Sequence, residues 1–258
     1  MDLTEQLVNV GACSIHLVGT IPGFTPDGAR VTATLATSQP SLIALGIPAD
    51  DLPGLAILAA GESPESLIDA SEKRLPRGVG PQGGELPASS PLHPTVREAL
   101  PDDGDAGRFA GLDLATAHLL HLLTRFGPTG PVPSDLVAAQ RAATASSIPM
   151  VAIDLDDAAH TERVTKELGM LGLLGRSRAD RAVLKQTFPD AATAHDLAIR
   201  FDAVRCRAKG LRRVEEAREA EMAARLTELA ARNASILAVV PVVRLAGIVR
   251  RLGAGAQP

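Results

Sequence analysis

The residues whose types and spacing could do chemistry in this sequence fall into four groups. The first is the turn after residues 14–18, where Gly19 and Thr20 lead into Pro22, Gly23, Pro26, Asp27 and Gly28. An apolar run of strand length that ends in a glycine turn and feeds a helix is where α/β proteins place ligands and chemistry. The turn carries a hydroxyl, but no His, Cys, Asp or Glu before Asp27. His118 and His121 form the second group. Three apart on a helix, they are neighbours and can share a metal, or they can be packing or surface histidines, the reading their leucine flanks favour. Asp154, Asp156 and Asp157 follow an apolar run at residues 150–153. Three such acids can hold a hard cation, or cap the next helix, where negative charge suits the N-terminus. Capping is the preferred reading. The fourth is Arg218, which falls inside the apolar stripe Leu211, Val214, Met222, Leu226, Leu229. On an inner face it needs a carboxylate, carbonyls or an anionic ligand, unless it snorkels to an edge.

The elements that must position these groups alternate. Residues 1–12 read as a lead-in or edge segment. Strands are expected at 14–18, 41–45, 55–59, 150–153 and 236–240. Helices are expected after the first turn to about Thr37, and at 62–74, 109–126, 134–145, 158–168, 176–187, 191–207, 211–232 and 244–252, with Ser134 or Asp135 capping the fourth of them. The pattern is α/β with a mainly buried sheet, strand-turn-helix units at both ends of the chain, and a helix-rich second half. Residues 76–107 hold many prolines and glycines without either period and read as an insertion in a single domain spanning 1–258.

Composition narrows the function. The chain of 258 residues is 45% hydrophobic and 22% charged, so it can bury a sizeable core. It contains no Trp or Tyr, leaving Leu, Val, Ile and Ala to build that core. A net charge of −4 with almost no aromatics argues against nucleic-acid binding. The basic run at 205–213 reads as a solvated helix face. Cys13 and Cys206 give neither a disulfide framework nor a metal spacing, and fit reduced thiols in a cytoplasmic protein. The start of the chain lacks the pattern of a secretion signal. Residues 234–249 are interrupted by Pro241 and Arg244, so a strand and a helix explain them better than a membrane span.

Five segments in order resemble the TraB/PrgY family, which includes the Tiki proteases and is related to erythromycin-esterase and ChaN-like folds. They are LVGTIP at 17–22, PSLIALGI at 40–47, AAQRAATASSIPMVAIDLDDAAHTER at 138–163, AREAEM at 217–222 and VVPVVRLAGI at 239–248. The resemblance implies a metal-dependent peptidase site using two motif histidines and a glutamate. Here Pro22 and Arg244 stand at the histidine positions, Gly46 at the strand-end glutamate, and Ala217 at the glutamate beside Arg218. Gly19, Thr20, Arg218, Met222 and Gly247 match the family pattern.

The expectation is therefore a TraB-like pseudoenzyme without metal or other cofactor. It would act by binding, with Gly19, Thr20, Arg218 and Arg244 as the ligand-binding candidates. Two alternatives stand beside it. One is an active hydrolase whose ligands are relocated among His16, Asp27, Asp154 and His160. The other is a structural, partner-binding module. The reading leaves room for a peptide or small anionic ligand and for a homodimer, and excludes nucleic acid and membrane. Gly19-Thr20 and the turn at 241–244 should lie side by side at one sheet edge.

Overall fold

The apolar runs that end in turn residues form the middle of one sheet. The computed structural model describes residues 4–61, 114–130 and 132–255. In chain order the elements are β1 (Glu5–Val10), β2 (Cys13–Thr20), α1 (Pro26–Ser38), β3 (Leu42–Leu45), α2 (Leu52–Ala60), α3 (Leu114–Leu123), α4 (Ser134–Ser146), β4 (Met150–Ala152), α5 (Asp157–Val183), α6 (Ala194–Arg205), α7 (Lys209–Ala230), β5 (Ser235–Pro241) and α8 (Val242–Gly255). The five strands are ordered β1-β2-β5-β3-β4. β1 is antiparallel to β2, and every other pairing is parallel. The protein is α/β, as the alternating pattern implied.

The lead-in supplies the antiparallel edge strand, turned back through Gly11-Ala12. Gly11 has a φ of 59°, which a two-residue hairpin turn needs and glycine adopts without a Cβ penalty.

Strand residues alternate between two buried faces. Ile15, Leu17, Leu42, Ala44, Ile236 and Ala238 pack against Met222 and Leu226 of α7 and Leu245, Ile248 and Leu252 of α8. Val18, Ile43, Leu45, Leu237 and Val239 pack against Val31 and Leu35 of α1, Leu55 of α2, and Val137 and Ala143 of α4. Burial on both faces is why β3 and β5 read as continuous apolar runs. A third cluster lies past the strand ends. Ile21 and Phe24 from the first turn meet Leu120 and Leu123 of α3, Leu197 and Ala198 of α6, and Val242.

Three expectations are corrected. Residues 55–59 belong to helix α2, not a strand. Pro53 sits in its first turn and Gly61 caps its end with φ 83°. A short apolar run does not distinguish a strand from a buried helix turn, and these are helix-boundary signals. The helices expected at 158–168 and 176–187 are one, α5, which continues through Gly169, Gly172 and Gly175. Asp135 does not cap α4. Pro133 occupies the cap position without a side-chain bond, and Asp135 turns to Thr20 instead. The helix expected at 62–74 and the insertion at 76–107 lie outside the described residues.

Candidate functional site at the carboxyl edge of the sheet

The parallel strands all end at one edge, so their following turns collect there. Thr20 is the register partner of Pro241, and Leu45 faces Val239 on one side and Ala152 on the other. Gly19-Thr20 and Pro241 are thus side by side, as expected. A Cβ on Gly19 would stand 3.0 Å from Val242 Cα, and one on Gly46 would stand 3.0 Å from Pro241 Cδ and 3.1 Å from Val240 Cα. Both glycines let neighbouring backbone approach closely. A side chain at position 46 would have to push that backbone aside.

Two polar clusters sit at this edge. The first gathers around the end of β2. Thr20 Oγ1 donates to Asp135 Oδ2. Asp135 is fully buried, and its Oδ1 has no hydrogen-bond partner among the described residues. Burial pushes its carboxyl above the usual range and the nearby Asp27 adds to this, while the bonds from Thr20 and the Leu136 N–H oppose it. Asp27 is 1% exposed. Its Oδ2 accepts from the Ile21 N–H at 2.7 Å, and its Oδ1 accepts from Arg30 at 2.9 Å and lies 3.0 Å from His195 Nε2. Burial alone would raise this carboxyl. The bond and charge of His195, with Arg30 and the Ile21 N–H, outweigh it and hold the group below its usual range. Arg30 also donates to the Gly19 carbonyl.

Two buried carboxyls driven apart in this way are the pattern by which enzymes separate an acid from a base. Here Thr20, Asp27 and Asp135 are each 2% exposed or less, so none of the three faces solvent. What the cluster does is tie the end of β2 to α1, α4 and α6.

The second cluster holds both candidate arginines. Arg244, in the first turn of α8, has a side chain only 7% exposed. It pairs with Asp202 of α6, with Glu215 of α7 at 3.1 Å, and with Glu219 at 3.7 Å. Arg218, its side chain 23% exposed, takes the carboxylate-paired alternative of the two that its place in the apolar stripe left open. Its partner is a carboxylate of this chain: Nε lies 3.0 Å from Asp154 Oδ2, and NH1 lies 2.9 Å from Glu215 Oε2. Glu215 therefore joins the two arginines. Arg251 closes the group on Glu219 at 2.7 Å. For both Arg218 and Arg244, burial favours the neutral form, but the surrounding carboxylates outweigh it and raise the guanidinium pKa further. Asp202 moves upward because burial and Glu215 outweigh Arg244. A Cβ on Gly247 would fall 2.0 Å from Glu219 Oε2, so this glycine makes room for the network.

The four candidates therefore divide. Gly19 and Thr20 belong to the β2 cluster, and Arg218 and Arg244 belong to the α7–α8 network. Pro22 lies in the turn beside Ile21, and Gly46 abuts Pro241. Sequence reasoning missed Asp135, His195 and Asp202. The last two are seven apart, which places them on one face of a helix, and α6 uses one for each cluster.

Three of the remaining candidates, Asp156, His118 and His16, have structural partners. Asp156 Oδ1 accepts from the Ala159 N–H and caps α5. His118 lies 3.1 Å from the Gln186 carbonyl, and burial pushes its pKa down. His16 pairs with Glu5 at 3.3 Å. Cys206 is pushed up to about 11, chiefly by burial and then by Asp202, so it stays a thiol at neutral pH. A cleft of about 380 Å³ between β4 and α7 is lined by Val151, Ile153, Glu221, Arg225 and Glu228, on residues distinct from both clusters. Among the described residues, no three His, Cys, Asp or Glu side chains gather as a metal site, and no helix is long and apolar enough to cross a membrane.

In comparison with known proteins, no family model matches the chain and no curated protein matches it. What the fold and the edge define is an α/β protein in which Asp27, Asp154, Asp202, Arg218 and Arg244 at the carboxyl edge are paired within the chain.

Proposed function

We propose that this chain is a TraB-like domain that has lost the family's metal-dependent peptidase chemistry and works in the cytoplasm as a binding or regulatory protein. The observation that carries this reading is Arg244. Where the resemblance would put a metal-binding histidine, a buried guanidinium is held by Asp202, Glu215 and Glu219. The residues present do not fit a metal. Pro22 and Gly46 offer no side-chain donor, and a guanidinium stays protonated at working pH. A dication beside it would also meet like-charge repulsion.

The relocated-ligand alternative has less support. His16 is spent on Glu5, Asp27 on Arg30 and His195, and Asp154 on Arg218. An anionic ligand at Arg218 or Arg244 would have to displace carboxylates already in contact with them. Peptide or partner binding through another surface is the form of binding that this leaves open.

Metal analysis tests the reading. The wild-type protein, dialysed against a weak chelator and titrated with zinc or manganese, should retain no stoichiometric metal. Restoring the site by Pro22→His and Arg244→His should help little unless Gly46 is also changed, and Gly46→Glu must displace the Pro241 backbone region. One equivalent of metal in the wild type, lost on changing His16 or Asp154 but kept on changing Arg244, would replace this reading with the relocated-ligand hydrolase.

A further inference from the structure

The outer edge of β1 is a second feature that the carboxyl-edge clusters do not use. β1 is an edge strand, paired among the described residues with β2 alone. Its sequence, EQLVNV, has no proline or lysine, the residues that commonly guard an edge against pairing. Leu7, at mid-strand, is 67% exposed, while Val8 and Val10 pack on the core of the opposite face.

The backbone pattern fixes which groups the edge offers. The Gly19 N–H donates to the Thr4 carbonyl at 2.7 Å, and Glu5 faces Val18. Antiparallel pairing alternates, so residues 4, 6, 8 and 10 direct their backbone groups to β2. Glu5, Leu7 and Asn9 direct theirs outward. These three positions are symmetric about Leu7. A second β1 laid antiparallel across a two-fold axis through Leu7 sets Leu7 against its own copy and Glu5 against Asn9. Each pair then exchanges both of its backbone hydrogen bonds, with no carboxylate facing a carboxylate. Glu5 is already balanced by Arg30 at 3.4 Å and His16 at 3.3 Å.

We propose that β1 is the interface of a symmetric homodimer, in which two sheets join edge to edge with Leu7 on the two-fold axis. A second copy is the occupant the edge fits, because backbone phase, charge and the exposed leucine all match under that one symmetry operation. Pairing covers the side of β1 that no other described strand occupies, together with the largest exposed apolar side chain among the described residues. The inference is independent of the proposed loss of metal chemistry.

Light scattering during size exclusion, with a concentration series, tests it. The wild type should run at twice the 26.7 kDa chain mass at high micromolar concentration. Leu7→Lys and Leu7→Glu should each be monomeric, because each opposes its own charge at the axis. Mixing the two variants should restore the double mass, an outcome that a folding defect cannot produce. Should either charged variant lose its helical circular dichroism, Leu7→Pro removes the outward N–H from an edge position that tolerates proline, and should also be monomeric. A wild type that stays at 26.7 kDa, variants that remain dimeric, or a mixture that does not re-pair would each overturn the proposal.

Discussion

Arg244→Met destabilises the protein by about 3–5 kcal/mol, the range for removing one partner from a buried ion pair. The cause is what remains. Asp202, Glu215 and Glu219 converge on this guanidinium, and among the described residues Glu219 keeps only Arg251 and Glu215 only Arg218 once it is gone. The carboxylates then repel one another in a partly dry space. Denaturant unfolding measures the loss, and the melting temperature should fall by roughly 10 °C for a chain of this size. Adding Asp202→Asn and Glu215→Gln to Arg244→Met should recover much of the loss, because neutral groups of similar shape carry no stranded charge. A loss below about 1 kcal/mol would be that of a surface pair, and would show that the network is solvated.

Asp27→Asn is the second large effect. Asp27 is the one acceptor shared by Ile21, Arg30 and His195. Its replacement takes the ionised acceptor from Arg30, which is 24% exposed and keeps Glu5, and from the Ile21 N–H and His195, at a cost of about 1.5–3 kcal/mol at neutral pH. The sign of the pH dependence follows from the lowered carboxyl. A group with a depressed folded pKa stabilises fully above its unfolded value, here 3.8, and loses that contribution as pH falls through the folded value. The gap between wild type and Asp27→Asn should therefore be widest at neutral pH and narrow below 3.8. Unfolding curves taken at neutral and at acidic pH decide this. A gap that is the same at both would mean that the ionised carboxylate is not the source of the stability.

Much of the fold was legible because its signals are local. An apolar run closed by Gly19, Gly46 or Pro241 marks a strand end wherever it falls in the chain, and parallel strands carry such ends to one edge. The misread pieces were also local. Leu52–Ala60 is apolar enough for a buried strand, and only its proline and glycine boundaries betray a helix. The glycines inside α5 look like breaks, but a helix interior tolerates them at a cost of about 1 kcal/mol each.

The site was legible in part. Arg218 could be read as needing a partner because it interrupts an apolar stripe. That the partner is Asp154, 64 residues away, could not be read, since nothing near Asp154 in sequence marks it for pairing. The same holds for Thr20 with Asp135 and for Asp27 with His195, 115 and 168 residues apart. Arg244 shows the limit most clearly. Alone in sequence it is a positive charge where the resemblance would place a metal ligand, and only the packing of α6 and α7 against α8 shows it already neutralised.

The central claim is that Arg244 fills the carboxyl edge with a closed ion-pair network. Its most direct test is the Nε–H resonance of Arg244 in a nitrogen-correlated NMR spectrum, assigned by its loss in Arg244→Met. A guanidinium held between Asp202, Glu215 and Glu219 should give a sharp, shifted signal that persists above neutral pH, exchanges slowly with solvent, and is unmoved by zinc or manganese. A signal that exchanges as fast as that of an exposed arginine, or that shifts stoichiometrically with added metal, would contradict the account.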